Sequence, residues 1–270
     1  MAEQSILAVV DQGVVRITLN RPEVLNSFNL EMARALLAVL DDAARNPEIR
    51  AVHLTGAGRG FCAGQDLAEV LPKGDGPMPD IGDVVRTCYN PIIRAIRTLE
   101  KPVVCAVNGV AAGAGANLAF ACDITIAADE ANFVESFAKL GLIPDTSGTF
   151  FIPRLIGTQR ATGLFFLGDK LPAPKAKEWG LIWDCVPLAV LHDSTLAIAS
   201  ALATQCAAGE LLTLVAALRA FFDFVAENGG AHAVVRGLGR GVADFQHGLR
   251  HNGQSECGCG CANQVFQLHL

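Results

Sequence analysis

The sequence predicts a layered α/β fold, on three observations. Up to about residue 130, short apolar runs alternate with stretches of helical spacing; glycine-rich turns punctuate that alternation; and from about Thr158 the text becomes mostly helical. Residues 7–10 and 14–19 flank Asp11-Gln12-Gly13 and read as a hairpin. Asn29 can cap a helix running to about Asn46, with Met32, Leu36, Leu37, Val39 and Leu40 apolar and Pro47 as its stop. Residues 51–54 form a strand that opens into the loop Thr55-Gly56-Ala57-Gly58-Arg59-Gly60. Residues 71–80 hold three prolines and two glycines and read as a flexible surface loop. A helix over 83–99, a buried strand over 102–107, a Gly/Ala run and a strand over 124–127 follow. Beyond Thr158, helices are expected at 159–167, 173–179 and 188–205, with a short strand at 182–186.

Composition narrows the function. Of 270 residues, 51% are hydrophobic, enough for a sizeable core in one large domain or a domain with an appendage. No apolar run reaches the roughly eighteen residues of a membrane span, and Met1-Ala2-Glu3-Gln4 opens no signal peptide, so a cytoplasmic location is expected. A net charge of −6 without a basic patch argues against nucleic acid. Cys62, Cys88, Cys105, Cys122, Cys185 and Cys206 are scattered without framework spacing and are expected to be small buried thiols. Cys257, Cys259 and Cys261 alternate with glycine and lack the spacing of a metal site, so no metal is expected.

Three segments carry chemistry. In Gly60-Phe61-Cys62-Ala63-Gly64-Gln65-Asp66-Leu67, Gly64 allows a sharp turn that would aim the Gln65 amide into a cavity; an ordinary glycine turn reads the same. Asn108-Gly109-Val110-Ala111-Ala112-Gly113-Ala114-Gly115-Ala116-Asn117 lies between a strand and an apolar helix. Its small side chains would let a substrate oxygen reach helix-start amides, or would only allow close packing. It does not follow the first strand as GxGxxG, and no ribose-binding acid follows, which argues against a dinucleotide site. Paired amides from these two segments could hold a thioester enolate. In Gly141-Leu142-Ile143-Pro144-Asp145-Thr146-Ser147-Gly148-Thr149, Asp145 is either an N-cap or a base whose apolar surroundings raise its pKa.

Taken together and in order, these segments resemble the crotonase family, the enoyl-CoA hydratase/isomerase superfamily. The resemblance also rests on Leu19-Asn20-Arg21-Pro22, Asn26-Ser27-Phe28, Leu54-Thr55-Gly56, Lys101-Pro102-Val103, Cys122-Asp123-Ile124, Phe133 and Trp179-Gly180-Leu181, and covers about residues 5–205. Within the family, the stretches from Gly56 to Leu67, Tyr89-Asn90-Pro91, Cys105 to Ala116 and Lys139 to Asp145 are similar to the ring 1,2-epoxyphenylacetyl-CoA isomerases of aerobic phenylacetate breakdown. The resemblance implies a spiral of ββα units with a helical C-terminal region that packs trimers or dimers of trimers. It implies oxyanion amides on Gln65 and Ala114, a base at Asp145, and contacts to coenzyme A from Arg21, Leu25, Ala63, Asp66, Leu67 and Gly113. Coenzyme A would be part of an acyl thioester substrate, with no separate cofactor. The two glutamates that family hydratases use align with Asn117 and Phe137, neither of which can act as a base. The implied reaction is therefore a proton shift: conversion of a ring epoxide to an oxepin, or movement of a 3-enoyl double bond.

Rival readings are hydration, an aryl-CoA dehalogenase with Asp145 as nucleophile, and a non-catalytic scaffold or RNA-binding protein. The dehalogenase would need a histidine near the ring, and His53 sits on a strand well before the oxyanion loop. Where relatives often carry Asp-x-Gly-Gly-Thr, Ser147 interrupts the pattern. After Gln205 the resemblance stops, no lysine occurs beyond Lys177, and four of the six histidines fall in the last 39 residues, so residues 206–270 are set apart from a catalytic core over 1–205. A shifted reading frame or natural divergence would each produce such a break. The usual C-terminal helices are not expected there in full.

Overall fold

In the computed structural model, the structure describes residues 4–70, 80–207, 215 and 217–219. The expectations for the 71–80 loop, short of Asp80, and for most of the tail lie outside the described residues. By compactness the chain divides into Met1–Ala216 and Ala217–Leu270, and every element below belongs to the first unit.

The hairpin forms as its pattern predicts. β1 (Ile6–Asp11) pairs antiparallel with β2 (Val14–Leu19), Asp11 opposite Val14. The two turn residues, Gln12 and Gly13, have φ of 49° and 84°, the left-handed pair that matches strand twist in a two-residue hairpin. A 3-10 turn, Pro22–Val24, leads to α1 (Leu30–Arg45). Asn29 caps that helix, its side chain accepting from the Met32 amide at 2.9 Å. Met32, Ala33, Leu36, Leu40 and Ala43 form its buried stripe.

After α1, each turn of the chain places one strand in each of two sheets. β3 (Ala51–Gly56) is followed by β4 (Gly60–Cys62), β5 (Val103–Val107) by β6 (Val110–Ala112), and β7 (Ile124–Ala128) by β8 (Asn132–Val134). The larger sheet runs β1-β2-β3-β5-β7-β10, closing with β10 (Asp184–Val186); the smaller runs β4-β6-β8-β9, closing with β9 (Lys170–Pro172). Helices return the chain between turns: α2 (Leu67–Val70), α3 (Ile81–Val84), a π-helical turn (Val85–Tyr89) and α4 (Asn90–Thr98) after the first, and α5 (Ala114–Phe120) after the second. This is the expected spiral of ββα units. A 3-10 helix (Ser136–Leu140) precedes α6 (Gly148–Ile156), α7 (Thr158–Leu167), α8 (Ala173–Trp179) and α9 (Leu188–Ala207).

All five residues of β5 are buried, because helices cover both faces of the parallel strands. On one face Val14, Ala51 and Val104 meet Ala199 and Ala203 of α9. On the other, the main core gathers α1, α4 and the inner strands around Phe28, Leu36, Leu54 and Ile96. Among the described residues, no helix is long and apolar enough to cross a membrane. The six cysteines of the core are free thiols, five buried and Cys185 half-buried.

Two features differ from the sequence reading. The smaller sheet has no strand signature in the sequence, because its members span three residues each, too few for a period-2 pattern to register. The helix expected over 83–99 begins at Ile81, capped by Asp80, and carries the π turn that ends on Tyr89.

Candidate functional site

The site is built where β4 and β6 run out side by side. They pair in parallel, Gly60 with Val110 and Cys62 with Ala111. Beyond β4, Gly64 takes φ +88°, and a Cβ there would stand 2.7 Å from the Ala112 carbonyl oxygen. Only glycine allows the backbones to meet so closely. Gly115 makes the matching approach from α5, where a Cβ would meet the Cys62 carbonyl at 2.4 Å.

Phe28 fixes the loop from behind. Its amide donates to the Gly64 carbonyl at 2.7 Å, and its carbonyl accepts from the Asp66 amide at 2.8 Å. This parallel bridge uses the residues flanking Gln65, so the Gln65 N–H points to the opposite side, away from Phe28. Ala114 is the first residue of α5, and its N–H has no acceptor within the helix. The Gln65 side chain is itself restrained: Tyr89 donates its hydroxyl to Oε1, and Nε2 donates to the carbonyls of Phe28 and Asp66, each at 3.2 Å.

The third segment folds over these two. After the 3-10 helix and a left-handed Gly141, the chain turns through Thr146 and Ser147, whose φ are 49° and 62°. Ser147, not Asp145, is the N-cap of α6, which removes the capping reading of Asp145. The Asp145 main-chain oxygen instead accepts from the Gly148 amide at 2.8 Å and from Asn117 Nδ2 at 2.9 Å. Its carboxylate Oδ1 accepts from the Thr146 hydroxyl at 2.7 Å. Burial raises the Asp145 pKa above the ordinary aspartate value, and the Thr146 bond opposes part of that rise.

A cavity of about 180 Å³ joins the three segments. Ala63, Gly64, Gln65, Gly113, Ala114 and Asp145 line it, with Leu67, Tyr89, Phe137, Leu140 and Leu142 among its apolar walls. Of the residues assigned to coenzyme A by resemblance, Ala63, Leu67 and Gly113 are therefore at the cavity. Arg21, Leu25 and Asp66 are outside its lining and frame the loop. Arg21 pairs with Asp66 at 2.9 Å and donates to the Ser27 carbonyl at 2.7 Å, while the Leu25 carbonyl accepts from the Ala63 amide.

Asn117 is fully buried against Gly148, and Phe137 presents a ring to the cavity, so the two positions that the resemblance sets against the hydratase glutamates carry an amide and a phenyl group. His53 is buried elsewhere, its Nε2 2.8 Å from Thr195 Oγ1 on α9. The Cys62 thiol beside the loop is pushed up to about 12 by burial and is inert at neutral pH. Two residues with a bearing on the site escaped the sequence reading. Tyr89 entered it only as part of a motif. Glu135, one residue beyond β8, is 2% exposed and lies near Asp145 and Asn117. The available signal was an acid directly after an apolar strand.

With this geometry in place, comparison with known proteins identifies relatives. A family profile described as enoyl-CoA hydratase/isomerase matches residues 10–232. The chain is 54% identical over 200 residues to the 1,2-epoxyphenylacetyl-CoA isomerase of Escherichia coli (strain K12), covering 74% of this chain and 76% of that protein. It is 39% identical over 187 residues to the trans-2-decenoyl-[acyl-carrier-protein] isomerase of Streptococcus mutans, covering 68% of this chain and 70% of the other. Among solved structures, the enoyl-CoA hydratase of Bacillus anthracis superimposes with a TM-score of 0.80 at 30% identity, covering 92% of each chain.

Proposed function

The chain belongs to the enoyl-CoA hydratase/isomerase, or crotonase, family and is an isomerase, and on that premise we propose that it converts a ring 1,2-epoxyphenylacetyl-CoA to the oxepin-CoA by a proton shift on one carboxylate. The observation that carries the reading is the placement of Asp145 on the same cavity as Gln65 and Ala114, with no second carboxylate lining that cavity among the described residues. The thioester oxygen accepts from the amides of Gln65 and Ala114. Those donors acidify the adjacent carbon by stabilising the enolate that forms when its proton leaves. Asp145, ionised, takes that proton and the electron pair moves into the conjugated system; in the ring epoxide the C–C bond shared by the epoxide and the six-membered ring opens as the π bonds shift, giving the seven-membered oxepin, and the same carboxyl group returns the proton farther along. Atoms balance without a co-reactant, and no resident cofactor or metal is required. The apolar walls around Leu67, Leu140 and Leu142 suit an aryl or enoyl group and keep water from the enolate. A 3-enoyl thioester would undergo a double-bond shift by the same steps. The trimer or dimer of trimers implied by the family would offer cover to exposed Phe166, Leu167 or Trp183.

The 54% identity to an isomerase of ring epoxides favours that substrate. The test is product analysis by mass spectrometry and NMR on epoxyphenylacetyl-CoA and a 3-enoyl-CoA side by side, with crotonyl-CoA as the hydration control. Isomerised product with at most traces of hydrated product is expected. Asp145→Asn is expected to lose about a hundredfold or more in turnover while retaining thioester affinity within a few fold. Near-parental turnover in that variant would sink the single-base mechanism.

A further inference from the structure

Glu135 is a buried acid that the mechanism above does not use. Both of its carboxylate oxygens lack a hydrogen-bond partner, and so does the neighbouring Oδ1 of Asn117. The orientation of the Asn117 amide is fixed from its other end: the main-chain oxygen of Asp145 can only accept, so the group facing it at 2.9 Å is Nδ2, which leaves Oδ1 without a donor. An ionised Glu135 would thus put three unpartnered acceptor atoms together in a dry site, with only the second Nδ2 hydrogen of Asn117 to offset the charge. One proton on Glu135 supplies the missing donor.

We propose that Glu135 is a neutral carboxylic acid that donates its proton to Asn117 Oδ1, and that this bond makes it a positioning residue for Asp145. The chain of contact is short. Glu135 holds the Asn117 amide, Asn117 Nδ2 holds the main-chain oxygen of Asp145, and the Asn117 side chain lies against Gly148, where an added Cβ would meet it at 2.5 Å. Asn117 is therefore caught between Glu135 and the start of α6, and its position sets where the Asp145 turn stands. Among the described residues, Asp145 is the charged group that acts on Glu135, with Asn117 its polar neighbour. Burial first and then the Asp145 charge disfavour ionisation of Glu135 and outweigh the opposing influence of the Asn117 amide, which leaves Asp145 as the ionised member of the pair. The role rests on the isomerase reading above, whereas the protonation of Glu135 does not.

The experiment compares the full-length parent with Glu135→Gln and Glu135→Leu. Infrared difference spectroscopy at neutral pH is expected to show a protonated-carboxyl band that disappears in Glu135→Gln and survives in Asp145→Asn. Glutamine can donate to Asn117 Oδ1, so Glu135→Gln is expected to hold kcat within a few fold. Leucine cannot, and Glu135→Leu is expected to lose roughly ten- to hundredfold in kcat by misplacing the base, with little change in KM. The parent should lose activity on an alkaline limb as Glu135 ionises, and Glu135→Gln should lack that limb. A missing infrared band overturns the neutral acid whatever the substrate proves to be. A Glu135→Gln variant as impaired as Glu135→Leu, or an alkaline limb unchanged by glutamine, overturns the positioning role. If the leucine variant fails to fold, the glutamine arm alone decides.

Discussion

Asp145 and Thr146 show how much depends on a single hydroxyl. The carboxylate must be ionised to accept a proton, and its burial raises the pKa, so kcat/KM should fall as pH drops through a value above that of an ordinary aspartate. The Thr146 hydroxyl bonds the charged form at 2.7 Å and pulls in the opposite direction. Removing it should move the acid limb of the pH–rate profile upward, because the charged form loses a hydrogen bond. Thr146→Val is the variant, with Thr146→Ser retaining the bond and the parental limb. A limb that stays put or moves down in Thr146→Val would falsify this account of the base. The sequence displayed Asp145 in an apolar context. It could not display Thr146 as its partner, because that contact depends on a turn with two successive left-handed residues, neither of them glycine.

At the scale of elements, the two glycine-rich segments are legible as motifs, while the close backbone approach that joins them is not. Gly64 and Gly115 were visible as glycines among small residues. Only the parallel pairing of β4 with β6 shows what they are small for: one lies against the Ala112 carbonyl, the other against Cys62. Gly64→Ala tests this. Its Cβ would both demand a left-handed alanine and press to 2.7 Å on a backbone oxygen, so the segments must separate. We expect a loss of about a hundredfold in kcat, the scale of losing one oxyanion donor, with a folded core by circular dichroism. Parental kcat would mean that the amides of Gln65 and Ala114 do not act as a pair. The strands that create this approach were missed for the same reason that they work. Each is three residues long, just enough to carry one backbone past another before the chain turns into the site.

At the scale of the whole molecule, His53 links the sheet to α9 and makes the fold sensitive to acid. Thr195 spends its hydroxyl proton on the carbonyls of Leu191 and His192, so His53 Nε2–H is the donor to Thr195 and Nδ1 is left as an unpartnered acceptor. Burial first, then His192 and Arg16 nearby, lower its pKa from 6.5 to about 4. The folded form resists protonation that the unfolded chain accepts. Stability is therefore intact above the unfolded value and is lost as pH falls from 6.5 toward about 4, by up to an amount on the order of 3 kcal/mol. Asp145 and Glu135, whose pKa values are raised, act with the opposite sign, so the contribution must be isolated by substitution. His53→Gln keeps a donor for Thr195 and carries no titrating group. Its Tm should fall less than that of the parent over this acid window. Parallel Tm curves for the two proteins would show that His53 does not govern acid stability.

By itself, the sequence determined the α/β alternation, the capped helix α1, the hairpin, the family and the identity of the candidate base. Each of these is written in local spacing or in an ordered set of short motifs, which survive without knowledge of what packs where. Tertiary structure alone decided which atoms share a cavity. It gave the three residues that the resemblance groups, Asp145, Gln65 and Ala114, a common cavity wall, turned Arg21, Leu25 and Asp66 into a frame outside that cavity, and buried Glu135 beside Asn117. The physical reason is that these relations run between segments tens of residues apart. Their geometry comes from parallel strand pairing and close backbone approach, for which no local period exists.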